Sequence, residues 1–279
     1  MNGTDPIRIF IGSGEASLLE RKTLIYSLQQ NSGRQLDISV FNGTHNSIER
    51  GSREPVSAGM PLQVKYRNFT EFSLYRFLIP ELCANAGRAI WLDSDMLCLA
   101  EIGSLFDMDT EGCAIRCVPA YGPDSWATSV MLIDCAGVSF ELEEILGQVD
   151  QGLFTLEQFL RLEAPFLRHY PLQVGTLAPC WNSFDACDPG TRILHFTNLS
   201  TQPWRVPGHA QAGLWHKYFA AARAAGCISD AEVRRALSLG YANREALCPA
   251  QVQVVAAPAA ATSLRHLFRR LYRRIRNHG

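Results

Sequence analysis

The chain has 279 residues, 47% hydrophobic and 19% charged, an ordinary balance for a globule with a sizeable core built as one large α/β domain. No run approaches the ~20 consecutive apolar residues of a membrane-spanning helix, and the opening MNGTDPIRIFIG lacks the basic and apolar segments of a signal peptide. Nine cysteines without a CxxC pair point to reduced thiols in a cytosolic compartment, and the net charge of −1 hides an asymmetry at the C-terminus.

IRIFIGS (7–13) is a short apolar run closed by Gly and Ser, which predicts a first strand and turn. SLLERKTLIYSLQQNS (17–32) carries Leu24, Ile25 and Leu28 at helical intervals, and LDISVFNG (36–43) reads as a second strand. NFTEFSLYRFLIPEL (68–82) predicts a helix with Thr70 as its cap and Pro80 interrupting or restarting it. RAIWL (88–92) is the next strand; CAIRCVPA (113–120), SVMLID (129–134) and RILHF (192–196) are later runs of strand length. Strand–helix–strand order in the first half predicts right-handed crossovers and a largely parallel sheet flanked by helices.

The domain spans 1–248. Residues 249–262 are low in charge and rich in Ala and Pro, a linker composition. The last segment, SLRHLFRRLYRRIRNHG (263–279), holds six arginines and no acid. Leu264, Leu267, Phe268, Leu271, Tyr272 and Ile275 recur at helical spacing within it, which predicts a basic amphipathic helix suited to an anionic membrane surface. A terminal helix packed on its own domain is the alternative. Without this segment the body keeps 20 basic against 27 acidic residues, a balance that opposes nucleic-acid binding.

Two aspartates then interrupt the apolar stretch AIWLDSDMLCL (89–99). Carboxylates this close repel each other and resist desolvation. In open α/β sheets ligands bind beyond the carboxyl ends of strands, so Asp93-Ser94-Asp95 directs two hard oxygen donors at such a crevice. A divalent cation would cancel the repulsion and bridge to diphosphate oxygens, as Mn²⁺ or Mg²⁺ does. Carboxylates that merely cap a turn, or the nucleophile of a haloacid-dehalogenase-like phosphatase, are competing readings. The second arrives late in the chain for that enzyme class.

TEFSLYRFLIPELCANAGRAIWLDSDMLCLAEIGSLFDMD (70–109) resembles the core of glycosyltransferase family 8: an aromatic helix with Tyr-Arg, Ile-Pro-Glu-Leu, a short loop, and a strand ending in Leu-Asp-x-Asp. The likeness is traceable more weakly from about 7 to 218. It implies a GT-A, Rossmann-like fold, a nucleotide-sugar donor (commonly uridine diphosphate), Mn²⁺, and retention of anomeric configuration. Arg76 matches the helix arginine that faces the donor. ILHFTNLSTQPW (193–204) matches the family's His-x-x-Gly-x-x-Lys-Pro-Trp pattern through His195, Pro203 and Trp204. It is one residue longer, however, and Gln202 stands where Lys is expected; Arg205 is a candidate for the missing charge. By the same resemblance His195 joins Asp93 and Asp95 as the third metal ligand. Ala127, Thr128 and Ser129 replace the family's Asn-Ala-Gly at the sugar-contacting loop. Glu157 and Gln158 in TLEQFL fall where the family has catalytic polar residues, and Asn182 in PCWNSFD is placed to orient a substrate hydroxyl. Gly12, Ser13, Glu15, Ser94, Gln202 and Trp204 complete the expected donor-binding set.

The implied enzyme moves a hexose-type sugar to a hydroxyl of a glycan or lipid-linked acceptor. The metal would stabilise the leaving diphosphate, with Arg76 adding fixed charge and Gln158 facing the cationic sugar ring. The expected setting is the cytoplasm, peripheral on the inner face of a bacterial membrane. A catalytically silent nucleotide-sugar-binding scaffold and a sugar-phosphate nucleotidyltransferase are the alternatives; the second lacks its GxGxRxxP loop here.

Overall fold

The run Ile7–Ser13 (β1) carries Ile7, Ile9 and Ile11 on one face and Phe10 on the other, so it is stable only where both faces are covered. In the computed structural model it lies inside an eight-stranded sheet and all but one of its residues are buried. Residues 5–51, 54–57, 70, 72–120, 122 and 124–247 are described. The other strands of the sheet are β2 (Leu36–Asn42), β3 (Ser47–Glu49), β4 (Val56–Ser57), β5 (Arg88–Asp93), β7 (Ile115–Pro119), β8 (Trp126–Asp134) and β9 (Val174–Thr176), in the order β4-β3-β2-β1-β5-β8-β7-β9. Six of the eight run in one direction; β3 and β8 are reversed. The expectation of a mixed, largely parallel sheet therefore holds. A second sheet joins β10 (Ser183–Phe184), β11 (Ile193–His195) and β6 (Met96–Cys98).

Among the described residues the helices are α1 (Leu18–Gln30), α2 (Ile79–Leu82), α3 (Gly103–Phe106), α4 (Leu142–Asp150), α5 (Leu156–Leu160), α6 (Ala164–Leu167), α7 (Ala212–Ala224), α8 (Asp230–Ser238) and α9 (Arg244–Leu247). Within the described part of the helix expected over 68–82, from 72 onwards, the helix is shorter than its pattern: a 3₁₀ turn, Tyr75–Leu78, leads into α2, and Pro80 sits in its first turn. Proline belongs there because its missing N–H would have no helical partner, so it restarts the helix. Thr70 bonds the Ser73 hydroxyl at 2.5 Å instead of capping. Among the described residues no helix is long and apolar enough to cross a membrane. The chain divides into two units, Met1–Cys248 and Pro249–Gly279, and the linker and basic helix expected at the C-terminus lie outside the described residues.

Strand alternation sorts the core into two faces. Phe10, Phe41, Trp91, Met131 and Ile133 face one side, under α4 and the aromatic segment around Tyr75 and Phe77. Ile9, Ile11, Ile90, Leu92, Val130 and Leu132 face the other, against α1. A third cluster, with Leu97, Leu194, Phe196, Trp204 and Trp215, joins the small sheet to α7 and α8. Gly12, expected to contact the donor, stands beside Asp93 in register and has a packing reason for its size. A Cβ there would come within 2.4 Å of Phe72 and 2.5 Å of Trp91.

Glu20 on α1 is only 3% exposed, and burial pushes its carboxyl up to about 8. The fold thus binds the Glu20 proton more tightly than the unfolded chain, where the carboxyl ionises near the ordinary 4.5. Stability from this group is fully present below that value and is lost as pH rises towards 8, at up to about 1.4 kcal/mol per pH unit. Urea midpoints measured between pH 5 and pH 8 are expected to fall more steeply for the native chain than for Glu20→Gln.

Candidate functional site

β1 and β5 end together: Gly12 pairs with Asp93, and the chain then leaves the large sheet through Ser94. Asp95 follows, and Met96 opens β6 in the small sheet. There β6 runs antiparallel to β11 with Met96 opposite His195, and the Phe196 amide donates to the Asp95 carbonyl at 2.9 Å. This register, between strands far apart in sequence, carries the imidazole to the carboxylates. One ligand atom from each of Asp93, Asp95 and His195 lies within 4.8 Å of the others. His195 Nε2 is 3.1 Å from Asp95 Oδ1.

Each of the three is held from behind. Trp91 Nε1 donates to Asp93 Oδ1 at 2.9 Å; the two residues share a face because strands alternate with period two. Arg76 Nη2 donates to the same oxygen at 3.3 Å, Nη1 donates to the Thr128 carbonyl and hydroxyl oxygens at 2.5 and 2.7 Å, and the guanidinium lies 5.0 Å over the Trp91 ring. Gln202 Nε2 donates to Asp95 Oδ2 at 3.2 Å and to the Phe196 carbonyl at 3.0 Å. Asn182 Oδ1 lies 3.0 Å from His195 Nδ1, and Asn182 Nδ2 donates to Ser129 Oγ at 2.9 Å. With Nδ1–H given to Asn182, the Nε2 lone pair is the one aimed at the aspartates.

The electrostatics follow from burial. Desolvation, with the Asp95 charge added, holds the Asp93 carboxyl above the usual carboxylate range against the opposing pull of Arg76. Burial pulls the His195 pKa down, but Asp95, Asp93 and Asp185 together outweigh it and raise the pKa above its ordinary value. A metal ion would displace that proton, so binding should strengthen as pH rises. Two carboxylates and an imidazole on one small space fit a divalent ion of the Mn²⁺ or Mg²⁺ kind, the imidazole favouring Mn²⁺.

The other expected residues divide. Ser94 is buried in the turn between the two aspartates. Ser129 and Asn182, expected on the donor, stand behind the imidazole and orient it. Trp204 is 0% exposed, packed edge-on against Phe196 and at a tilt to Trp215, so it anchors its loop and has no surface for a ligand. Gln158 accepts the Thr155 N–H at 2.8 Å in a capping box, and Glu157 pairs with Arg161 at 2.8 Å. The helix they start, α5, nonetheless reaches the site: Thr128 Oγ1 donates to the Leu160 carbonyl and accepts from Arg76. Further along the rim, Ser13 Oγ lies 3.5 Å from Arg21 Nη1, and Glu15 pairs with Arg235 of α8. That helix was not foreseen here. Its residues Glu232 and Arg235, with Asn42, His45 and Tyr241, line a cavity of about 190 Å³ beside the ends of β1 and β2.

Asn182→Ala removes the acceptor that fixes the His195 tautomer. Mn²⁺ affinity, read by the free-ion electron paramagnetic resonance signal, is expected to fall about 10- to 100-fold with the fold intact.

Residues 22–135 match the description of glycosyl transferase family 8, and the chain resembles that family over the segment carrying Arg76, Asp93 and Asp95. No curated protein matches. The galactosyltransferase LgtC, solved with donor and acceptor sugar analogues, is 11% identical with a TM-score of 0.54, over 80% of this chain and 100% of LgtC. The apo glycosyltransferase GlyE of Streptococcus pneumoniae TIGR4 is 14% identical with a TM-score of 0.56, over 85% of this chain and 65% of GlyE. The apo bifunctional glycosyltransferase WbbM is 11% identical with a TM-score of 0.52, over 77% of this chain and 50% of WbbM. The chain thus spans all of LgtC, just under two thirds of GlyE and half of WbbM. What these proteins share at such identities is the fold, the GT-A arrangement of a mixed sheet flanked by helices.

Proposed function

We propose that this chain is a divalent-metal-dependent, retaining glycosyltransferase. It moves a hexose-type sugar from a nucleoside diphosphate donor, uridine diphosphate by preference, to a hydroxyl of a glycan or lipid-linked acceptor. The observation that carries this reading is the Asp93–Asp95–His195 cluster at the rim of a GT-A sheet, with its ligand atoms within 4.8 Å. When bound there, Mn²⁺ or Mg²⁺ supplies Lewis-acid stabilisation to a leaving diphosphate. Asp93 and Asp95 offer carboxylate oxygens and His195 offers Nε2, while Asn182 and Ser129 keep the imidazole turned inward. Arg76 balances Asp93, so the site is not left with two unopposed buried carboxylates.

The test is to incubate the full chain with Mn²⁺ and a panel of nucleotide sugars and to follow the nucleotide products. Released nucleoside diphosphate supports the transferase. Pyrophosphate exchange would mark a nucleotidyltransferase, and binding without turnover a silent nucleotide-sugar module. The basic segment 263–279 supports a place at an anionic membrane surface. Its deletion is expected to abolish sedimentation with phosphatidylglycerol vesicles while donor turnover in solution persists.

A further inference from the structure

A diphosphate drawn to this rim brings more negative charge than one divalent ion cancels, and most cations nearby are already committed. Arg76 is 5% exposed, with Thr128 and Asp93 as its partners. Towards β1, Arg21 pairs with Glu49 at 3.6 Å, Lys22 with Glu232 at 2.5 Å, and Arg235 with Glu15. Gln202 carries no charge and is 3% exposed, its amide nitrogen held by Asp95 and the Phe196 carbonyl.

Arg205 differs from all of these. Its backbone closes a turn onto the Gln202 carbonyl at 2.9 Å, so it stands three residues from a side chain that touches Asp95. The turn is anchored: Trp204 beside it is fully buried, and the Trp204 carbonyl accepts the Asn243 amide at 2.8 Å. Yet among the described residues Arg205 Nε is buried without a hydrogen-bond partner. Glu20 on α1 is the carboxyl that feels both Arg205 and Asp95, which puts all three in one neighbourhood. Burial keeps Glu20 largely protonated at neutral pH, so it does not cancel the guanidinium.

We propose that Arg205 is the cation that binds the donor's diphosphate, and that Gln202 acts only as a positioning residue for Asp95. This rests on the donor reading above. A guanidinium suits the task because its planar fork gives two parallel N–H donors to phosphate oxygens.

Calorimetric titration of the full chain with uridine diphosphate, and separately with uridine, tests it, each with and without Mn²⁺. Arg205→Gln is expected to weaken diphosphate binding about 10- to 100-fold, with or without the metal, and to leave uridine and Mn²⁺ affinities unchanged. Arg205→Lys, which keeps the charge and guards against a folding artefact, should recover part of the loss. Diphosphate affinity within twofold of the native chain in Arg205→Gln would overturn the assignment and leave the donor reading standing. An equal loss for uridine and the diphosphate would likewise overturn it, marking Arg205 as structural. A native chain that binds no nucleoside diphosphate would remove the donor reading and this assignment together.

Discussion

Asp95→Asn is expected to lower Mn²⁺-supported release of nucleoside diphosphate by about 10²- to 10⁴-fold, the range that several kcal/mol of lost charge stabilisation produces. The substitution is nearly isosteric, and its direct neighbours tolerate it. Gln202 Nε2 can donate to an amide oxygen as it does to Asp95 Oδ2, and the Phe196–Asp95 backbone bond is untouched. The loss should therefore appear in catalysis and in Mn²⁺ affinity while the unfolding midpoint hardly moves. His195 supplies an internal check: without the Asp95 charge, first among the charges that oppose burial there, its imidazole titrates at lower pH, visible by nuclear magnetic resonance. Turnover within tenfold of the native chain would show that the carboxylates do not serve the reaction.

The second large effect falls on stability. Arg76→Ala is expected to destabilise the protein by about 3–5 kcal/mol, because it leaves the buried Asp93 carboxylate beside the like charge of Asp95 without its counter-charge. The guanidinium also joins β8 to the end of β5, through Thr128 on one side and Asp93 on the other, and covers the Trp91 ring. Arg76→Lys keeps the charge but lacks the fork that spans both partners, so it should recover only part. Saturating Mn²⁺ replaces the missing positive charge beside Asp93. It is therefore expected to raise the melting temperature of Arg76→Ala by more than that of the native chain, following ligand linkage. An Arg76→Ala protein within 1 kcal/mol of native stability would refute the role given to this pair.

What could be read beforehand depended on how local the signal was. Asp93 and Asp95 were legible because carboxylates at the end of an apolar strand conflict with their surroundings unless a ligand resolves the conflict. Trp91 could have been found with them, since period-two alternation puts its indole on the Asp93 face. His195 needed the family resemblance, because nothing in ILHF announces that β11 will pair with β6 in the register that sets His195 opposite Met96. Asn182 and Ser129 were singled out, but their task was not, since three separate segments must meet before a tautomer is fixed. The reversed direction of β8 was invisible for a related reason: an apolar run buried on both faces reads alike in either orientation. In the described part of the span 68–82 the expected helix gave way to a 3₁₀ turn and a single turn of helix with Pro80 near its start, where ring geometry outweighed periodicity.

Asp93 closes a strand of the large sheet, whereas Asp95 and His195 belong with the small one. An ion gripped by all three is consequently a rivet through the seam between two independently hydrogen-bonded layers. Loading the rivet should slow amide exchange across β6 and β11 more than in the interior of β1. Any slippage of one layer against the other would be felt at once as a change in how firmly the metal is held.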